Sequence, residues 1–156
     1  MKTLITATAL TALTVTQAAA LSCLKPDVAE AYQTAAESDL SYVVLKGKFA
    51  FTPPPETDEA IDQTLEANFR GRLLTNAGFT QQVSAPVAVN LRCLSVWCAS
   101  IQPDTEYIAF VENQGGEKLI FDVDPCYGLA FFEPSQEDTK RVENCAQGGA
   151  CERVDH

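Results

Sequence analysis

Six cysteines constrain this chain more than any other feature of its sequence, because all of them follow an apolar N-terminal leader. An even number of cysteines in an exported chain predicts a disulfide scaffold of up to three bonds. Pairs close in sequence compete with long-range pairs, which close longer loops and should stabilise the fold more. The connectivity is therefore left open at this point. The six residues are Cys23, Cys93, Cys98, Cys126, Cys145 and Cys151.

Residues 1–20 have the three parts of a secretory signal peptide. Lys2 precedes an apolar stretch that is too short to span a bilayer, and small residues up to Ala20 form an A-x-A cleavage signature. Cleavage there would make Leu21 the first residue and leave one domain over residues 21–156. The run that ends at Cys23 also loosely resembles a lipoprotein box, which would leave Cys23 first and acylated. We predict a periplasmic or extracellular protein, with lipoprotein anchoring as the alternative.

The mature chain is strongly acidic. The sequence has 11 Lys and Arg against 21 Asp and Glu, and loss of Lys2 leaves 10 against 21, a net charge of −11. Such an excess argues against nucleic acid or an anionic membrane as a partner, because both need clustered Lys and Arg. After the leader, no apolar stretch is long enough for a transmembrane helix.

Two helices are predicted, one at each end of the mature chain. In the first, apolar residues recur at spacings of three and four from Val28 to a helix end near Ser38, with Pro26 and Asp27 in its first turn. The second is a short polar helix over residues 135–144, with Ser135 and Asp138 placed as a capping box.

Between the helices, the pattern is typical of strands. Tyr42–Phe51 predicts a strand with a bulge or sharp bend at Gly47, and residues 52–62 predict an exposed loop. Strict alternation from Leu65 to Leu73 predicts a half-buried strand. Residues 79–93 predict another, which tolerates Pro86 only at an edge or bulge. Tyr107–Val111 and Leu119–Val123 predict a hairpin around Asn113-Gln114-Gly115-Gly116.

These elements together predict a mainly β fold. Five bent strands with a disulfide frame favour a small closed barrel over an open sheet, because closure removes exposed edges. We therefore expect a five-stranded OB-like barrel, stapled by disulfides and flanked by an N-terminal and a C-terminal helix.

The order of cysteines and elements carries a family resemblance. Cys23 follows the leader, a helix feeds the first strand, Cys98 precedes the strand at Glu106, Cys126 ends the next strand, and a helix leads to Cys145. This order resembles the netrin-like modules, OB-fold barrels that include the tissue inhibitors of metalloproteases. The resemblance implies that Cys23 bonds to Cys98 or Cys126. Inhibitory members begin with Cys-x-Cys and ligate the zinc of their target through the first amino group, whereas Cys23-Leu24-Lys25 has one cysteine.

Few groups in the sequence are suited to catalysis. The one histidine, His156, is terminal, so a Ser/His or Cys/His arrangement is not expected. Neither the cysteine spacing nor the acidic residues match a zinc or EF-hand site. We predict no catalytic, cofactor-binding or metal-binding residues. The densest carboxylate cluster, Glu56, Asp58, Glu59 and Asp62, is the basis for an alternative, a carboxylate-dependent hydrolase.

Three aromatic residues are candidate partner contacts. Trp97 lies between two cysteines, and Phe131 and Phe132 precede Pro134. Each of these aromatic patches either contacts a partner or packs in the core. In the second case, Trp97 would pack over a disulfide. The predicted function is an exported, non-catalytic module that recognises a protein or small ligand through one barrel face and its loops, with the oligomeric state open. An alternative is a secreted metalloprotease inhibitor that acts through its N-terminal segment.

Overall fold

The computed structural model describes residues 22–55, 59–115 and 118–154. The predicted signal peptide lies outside the described residues, as do Glu56, Asp58, Gly116 and His156. The described chain is mainly β, with two helices and three disulfides. Neither described helix has the length and apolar character needed to cross a membrane.

Eight strands and two helices are present in the described residues. In chain order they are α1 Val28–Glu37, β1 Tyr42–Ala50, β2 Gln63–Thr75, β3 Gly78–Leu91, β4 Cys93–Leu94, β5 Trp97–Cys98, β6 Glu106–Asn113, β7 Leu119–Val123, β8 Ala130–Phe132 and α2 Gln136–Ala146. Both predicted helices, the alternating strand β2 and the hairpin of β6 and β7 are confirmed. The β4–β5 hairpin was not predicted.

Five strands pair in an order that returns to the first. β1 pairs with β2, β2 with β3, β3 with β7, β7 with β6, and β6 with β1. All of these pairs are antiparallel except β3 with β7. β7 reaches only residues 88–91 of β3, so Pro86 pairs with β2 alone, at an edge as predicted. Outside this ring, β8 pairs with residues 107–109 of β6, and β4 and β5 form a separate small hairpin.

Aromatic rings fill the core that these strands enclose. Phe49 stacks on Phe121 with ring centroids 5.2 Å apart and meets Phe69 at 5.1 Å. All three side chains are fully buried. Offset and tilted ring pairs of this kind add to the stabilisation that buried area provides.

A bulge or a sharp bend was predicted at Gly47, and the bulge is wrong, because the register of β1 and β2 runs unbroken through Gly47 and Gly71. Instead, these glycines allow β1 and β2 to approach each other closely. A Cβ at Gly47 would lie 2.3 Å from the carbonyl oxygen of Arg70 and 2.8 Å from the Phe69 ring. The ring of Phe69 thus occupies the space that a side chain would need, and this position requires glycine.

The helices cover a second apolar cluster outside the ring. Val28 of α1 and Val142 of α2 are buried there with Phe110 of β6. Asp27 lies one residue before α1 as its N-cap, rather than in the first turn, and accepts hydrogen bonds from the amides of Ala29 and Glu30. The α2 capping box of Ser135 and Asp138 is present as predicted. Both helices therefore begin where side-chain oxygens satisfy free amide groups.

Candidate functional site

The disulfides combine one long-range bond with two local ones. Cys23 bonds to Cys126 across a sequence separation of 103 residues. The other two close small loops, Cys93–Cys98 in the β4–β5 hairpin and Cys145–Cys151 after α2. The long-range bond fastens the segment before α1 to the chain that follows β7.

A groove of about 690 Å³ lies between this fastened N-terminal segment and the start of α2. Its volume is within the usual range of small-ligand sites. Its lining is rich in apolar and aromatic side chains and includes Leu24, Pro125, Tyr127, Phe131, Phe132 and Pro134. Five charged residues also line the groove: Lys25, Asp27, Glu137, Asp138 and Arg141.

The aromatic wall of the groove is held in place from behind. Phe131 is half-buried and meets Phe110 edge-on at 6.2 Å, whereas Phe132 is 59 % exposed and meets Tyr127 edge-on at 6.2 Å. The Tyr127 hydroxyl donates to the carbonyl of Ser100 at 3.1 Å and accepts from its amide at 3.2 Å. Phe132 thus presents an exposed ring on a fixed support.

A buried ion pair fixes the opposite wall. Arg141 of α2 donates to both carboxylate oxygens of Asp27, at 2.8 and 3.0 Å, and also to the carbonyl of Glu152. Burial alone would raise the pKa of Asp27, but hydrogen bonds from Arg141 and from the amides of Glu30, Val154 and Ala29 outweigh it and hold the pKa at about 2. Asp27 therefore links α1, α2 and the C-terminal segment through its charged form.

This link predicts a pH-dependent loss of stability in Asp27→Asn. The folded pKa of Asp27 is about 2 against an ordinary 3.8, so its contribution is present above pH 3.8 and is lost as the pH falls through 2. Asn keeps the N-cap but removes the charge, so the variant should lose about 2–3 kcal/mol at pH 7 and less than about 1 kcal/mol at pH 2. Urea unfolding at both pH values measures this.

Glu30→Gln is the matched control for that substitution. Glu30 forms an ion pair with Arg153 at 2.9 Å, but both side chains are substantially exposed. Exposed pairs contribute little, so the control should change by less than about 0.5 kcal/mol at either pH. Equal losses in the two variants, or a loss in Asp27→Asn that is independent of pH, would contradict the role given to Asp27.

The structure separates the three aromatic candidates. Phe131 and Phe132 line the groove, whereas Trp97 lies on the β4–β5 hairpin and is not among the lining residues. The interpretation of Trp97 as core packing is wrong, since its side chain is 51 % exposed beside Leu94 and Val96. A four-residue interval between bonded cysteines favours a protruding hairpin, and Ser95 supplies the positive φ that its tight turn needs.

The other groove residues could hardly be predicted from sequence patterns. Asp27 and Arg141 meet across 114 positions, and no local pattern predicts such a contact. Tyr127 could have been found in one way. A bond between Cys23 and Cys126 would bring together the residues that follow each of the two cysteines.

The carboxylate cluster is only partly within the described chain, which includes Glu59 and Asp62. Asp62 accepts a hydrogen bond from the amide of Cys93 at 2.7 Å and pairs with Arg92 at 3.3 Å. The amide hydrogen bond is the main cause of its lowered pKa, followed by Arg92, which opposes use of this carboxyl as a general acid. Within residues 22–55, 59–115 and 118–154, no group of three or more His, Cys, Asp or Glu could hold a metal ion.

Comparison with known proteins assigns this chain to no family. No protein-family model, characterised protein or solved structure matches the chain. Function is therefore inferred from the groove and its surroundings.

Proposed function

We propose that this protein is an exported, non-catalytic binding module that takes a small ligand into the groove between its N-terminal segment and α2. The observation that carries the proposal is the groove itself, about 690 Å³ in volume and lined largely by apolar and aromatic side chains. Clefts that combine an apolar and aromatic lining with convergent polar groups are typical of small-molecule sites.

The chemistry of the lining indicates the kind of ligand. Phe131 and the exposed ring of Phe132 offer flat apolar surfaces for an aromatic or alicyclic body. Lys25 also lines the groove, where a carboxylate or hydroxyl of the ligand would find a donor, whereas Arg141 is already bound to Asp27. The Cys23–Cys126 bond and the Asp27–Arg141 pair hold the two walls in advance, which lowers the entropy cost of binding.

We propose further that the ring of five strands is an OB-like barrel of the netrin-like type. The return of the pairing order to β1 supports closure. The bond between Cys23 and Cys126, one of two pairings that the resemblance implies, supports the relationship. Three disulfides are compatible with an extracellular or periplasmic location.

A fragment-binding screen by ligand-observed NMR tests the groove. Aromatic carboxylates should bind the wild-type protein, and Phe132→Ser should weaken the best of them about tenfold, because an aromatic ring contact and its buried area are lost. Trp97→Ser is the matched control, since it removes another half-exposed aromatic side chain at a different place. Equal weakening by both variants would contradict the assignment. Hydrolysis of a substrate that is abolished by Asp62→Asn would contradict the non-catalytic role.

A second candidate function is inhibition of a metalloprotease by the N-terminal segment. The observation that favours it is that Leu24 is 76 % exposed while its neighbour Cys23 is fixed by a disulfide. A wedge that enters another protein's cleft needs this combination of exposure and order. Inhibition of a metalloprotease panel that is lost in Leu24→Asp would support it, and no inhibition by a protein that starts at Cys23 would exclude it.

A further inference from the structure

Four basic residues lie together on the outward face of β1 and β2. Lys46 is directly opposite Arg72, and Lys48 is directly opposite Arg70. Side chains alternate along a strand, so all four are on the side away from the aromatic core. We call Lys46, Lys48, Arg70 and Arg72 the basic face.

This arrangement is costly for the fold. Like charges directly opposite each other on neighbouring strands are destabilising, and this chain has only 10 Lys and Arg after the predicted leader, the 11 of the sequence less Lys2, against 21 acidic residues. Four of these few cations nevertheless lie in two opposed pairs on neighbouring strands. The net charge of the sequence does not indicate that four cations lie together on one face.

The rest of the protein supplies a carboxylate near the two lysines of the basic face but none for its two arginines. Lys46 donates to the Thr139 hydroxyl at 3.1 Å and approaches a carboxylate oxygen of Glu106 at 3.9 Å. Lys48, Arg70 and Arg72 make no side-chain hydrogen bond or ion pair with another described residue. Glu106 lies directly opposite Lys48 in the pairing of β1 with β6, so Arg70 and Arg72 are the cations left for a group from outside the chain.

The surface beside these cations has room and further donors. A depression of about 660 Å³ is lined by Arg70 and Arg72 together with Gln82 and Ser84 of β3. Arg72 is opposite Gln82 and Arg70 is opposite Ser84, so the polar side chains share the face with the arginines. Strand geometry spaces the positions about 5 Å apart across the sheet and about 7 Å apart along a strand.

We propose that the basic face binds a compact polyanion that carries at least two phosphate or sulfate groups. Arginine pairs with tetrahedral oxyanions through two parallel hydrogen bonds, and the spacing of the four cations fits two such groups side by side. A compact ligand is favoured over a long polymer, because the rest of the protein is strongly acidic and would repel the parts of a polyanionic polymer that extend past the basic face. None of the four residues lines the groove, so this site is separate from the proposed small-ligand site.

Isothermal titration calorimetry with two probes, tripolyphosphate and sucrose octasulfate, tests the proposal. Wild-type protein should bind at least one of them, with an affinity that falls as salt is added. Arg70→Gln/Arg72→Gln should weaken binding about tenfold or more and should not lower the unfolding midpoint, because it relieves repulsion between strands. Lys118→Gln removes a positive charge outside the face and should change the affinity less than about twofold.

A gain-of-function variant makes the test independent of any loss of folding. Gln82→Lys adds a fifth cation to the depression and should tighten binding about threefold. No binding of either probe by wild-type protein, equal affinity in Arg70→Gln/Arg72→Gln, or binding of only a long single-stranded oligonucleotide would overturn the proposal.

Discussion

Replacing Cys23 and Cys126 together by alanine is expected to lower the free energy of unfolding by about 4–5 kcal/mol. The bond spans 103 residues, and in the chain-entropy model closure of so long a loop removes more freedom from the unfolded chain than closure of a short one. The same change frees the N-terminal wall of the groove, so binding of a groove ligand should weaken as well. Urea unfolding measures the first effect and fragment titration the second.

The matched control is the double variant of Cys93 and Cys98. That bond spans five residues, so its loss should cost only about 2 kcal/mol in the same model. The hairpin that it closes lies outside the groove, so affinity for a groove ligand should not change. Equal losses of stability in the two double variants, or unchanged fragment affinity in the first, would contradict the role of the Cys23–Cys126 bond.

Gly47→Ala is expected to be nearly as damaging, with a loss of about 3–5 kcal/mol in unfolding free energy. Its Cβ would lie 2.3 Å from the carbonyl oxygen of Arg70, 2.6 Å from the Cα of Gly71 and 2.8 Å from the Phe69 ring. Two of these atoms belong to the backbone of β2, so relief requires the strands to separate where β1 also pairs with β6. Overpacking of this kind is not relieved by a rotamer change.

Gly128→Ala is the control for that substitution. A Cβ at Gly128 would meet only a carboxylate oxygen of Asp124, at an ordinary contact distance of 3.7 Å. Its unfolding free energy should stay within about 0.5 kcal/mol of the wild-type value in urea unfolding. A Gly47→Ala protein as stable as Gly128→Ala would show that β1 and β2 do not pack as closely as described.

Much of the local structure could be predicted, because its causes lie within a few residues. Ser135 and Asp138 are three positions apart, so the start of α2 could be predicted from a capping pattern alone. The alternation through Leu65 and Phe69 likewise predicts which face of β2 is buried. Gly47 was harder, since a glycine in a strand indicates either a bulge or a close approach, and only the partner strand decides between them.

The sites depend on contacts that sequence patterns do not contain. Phe131 and Phe132 could be selected as candidate partner contacts from the sequence. The groove also needs Cys23, Asp27 and Arg141, which are distant in sequence and come together only in the fold. The basic face needs the register of β1 against β2, because a shift of one residue would move one strand's charges to the other side of the sheet.

The most direct test of the groove as the binding site is a map of backbone amide shifts for wild-type protein titrated with the aromatic fragment that binds most strongly. The largest shifts are expected at Leu24, Tyr127, Phe131 and Phe132, which line the groove. Shifts confined to the hairpin around Trp97, or to the basic face, would contradict the groove as the binding site.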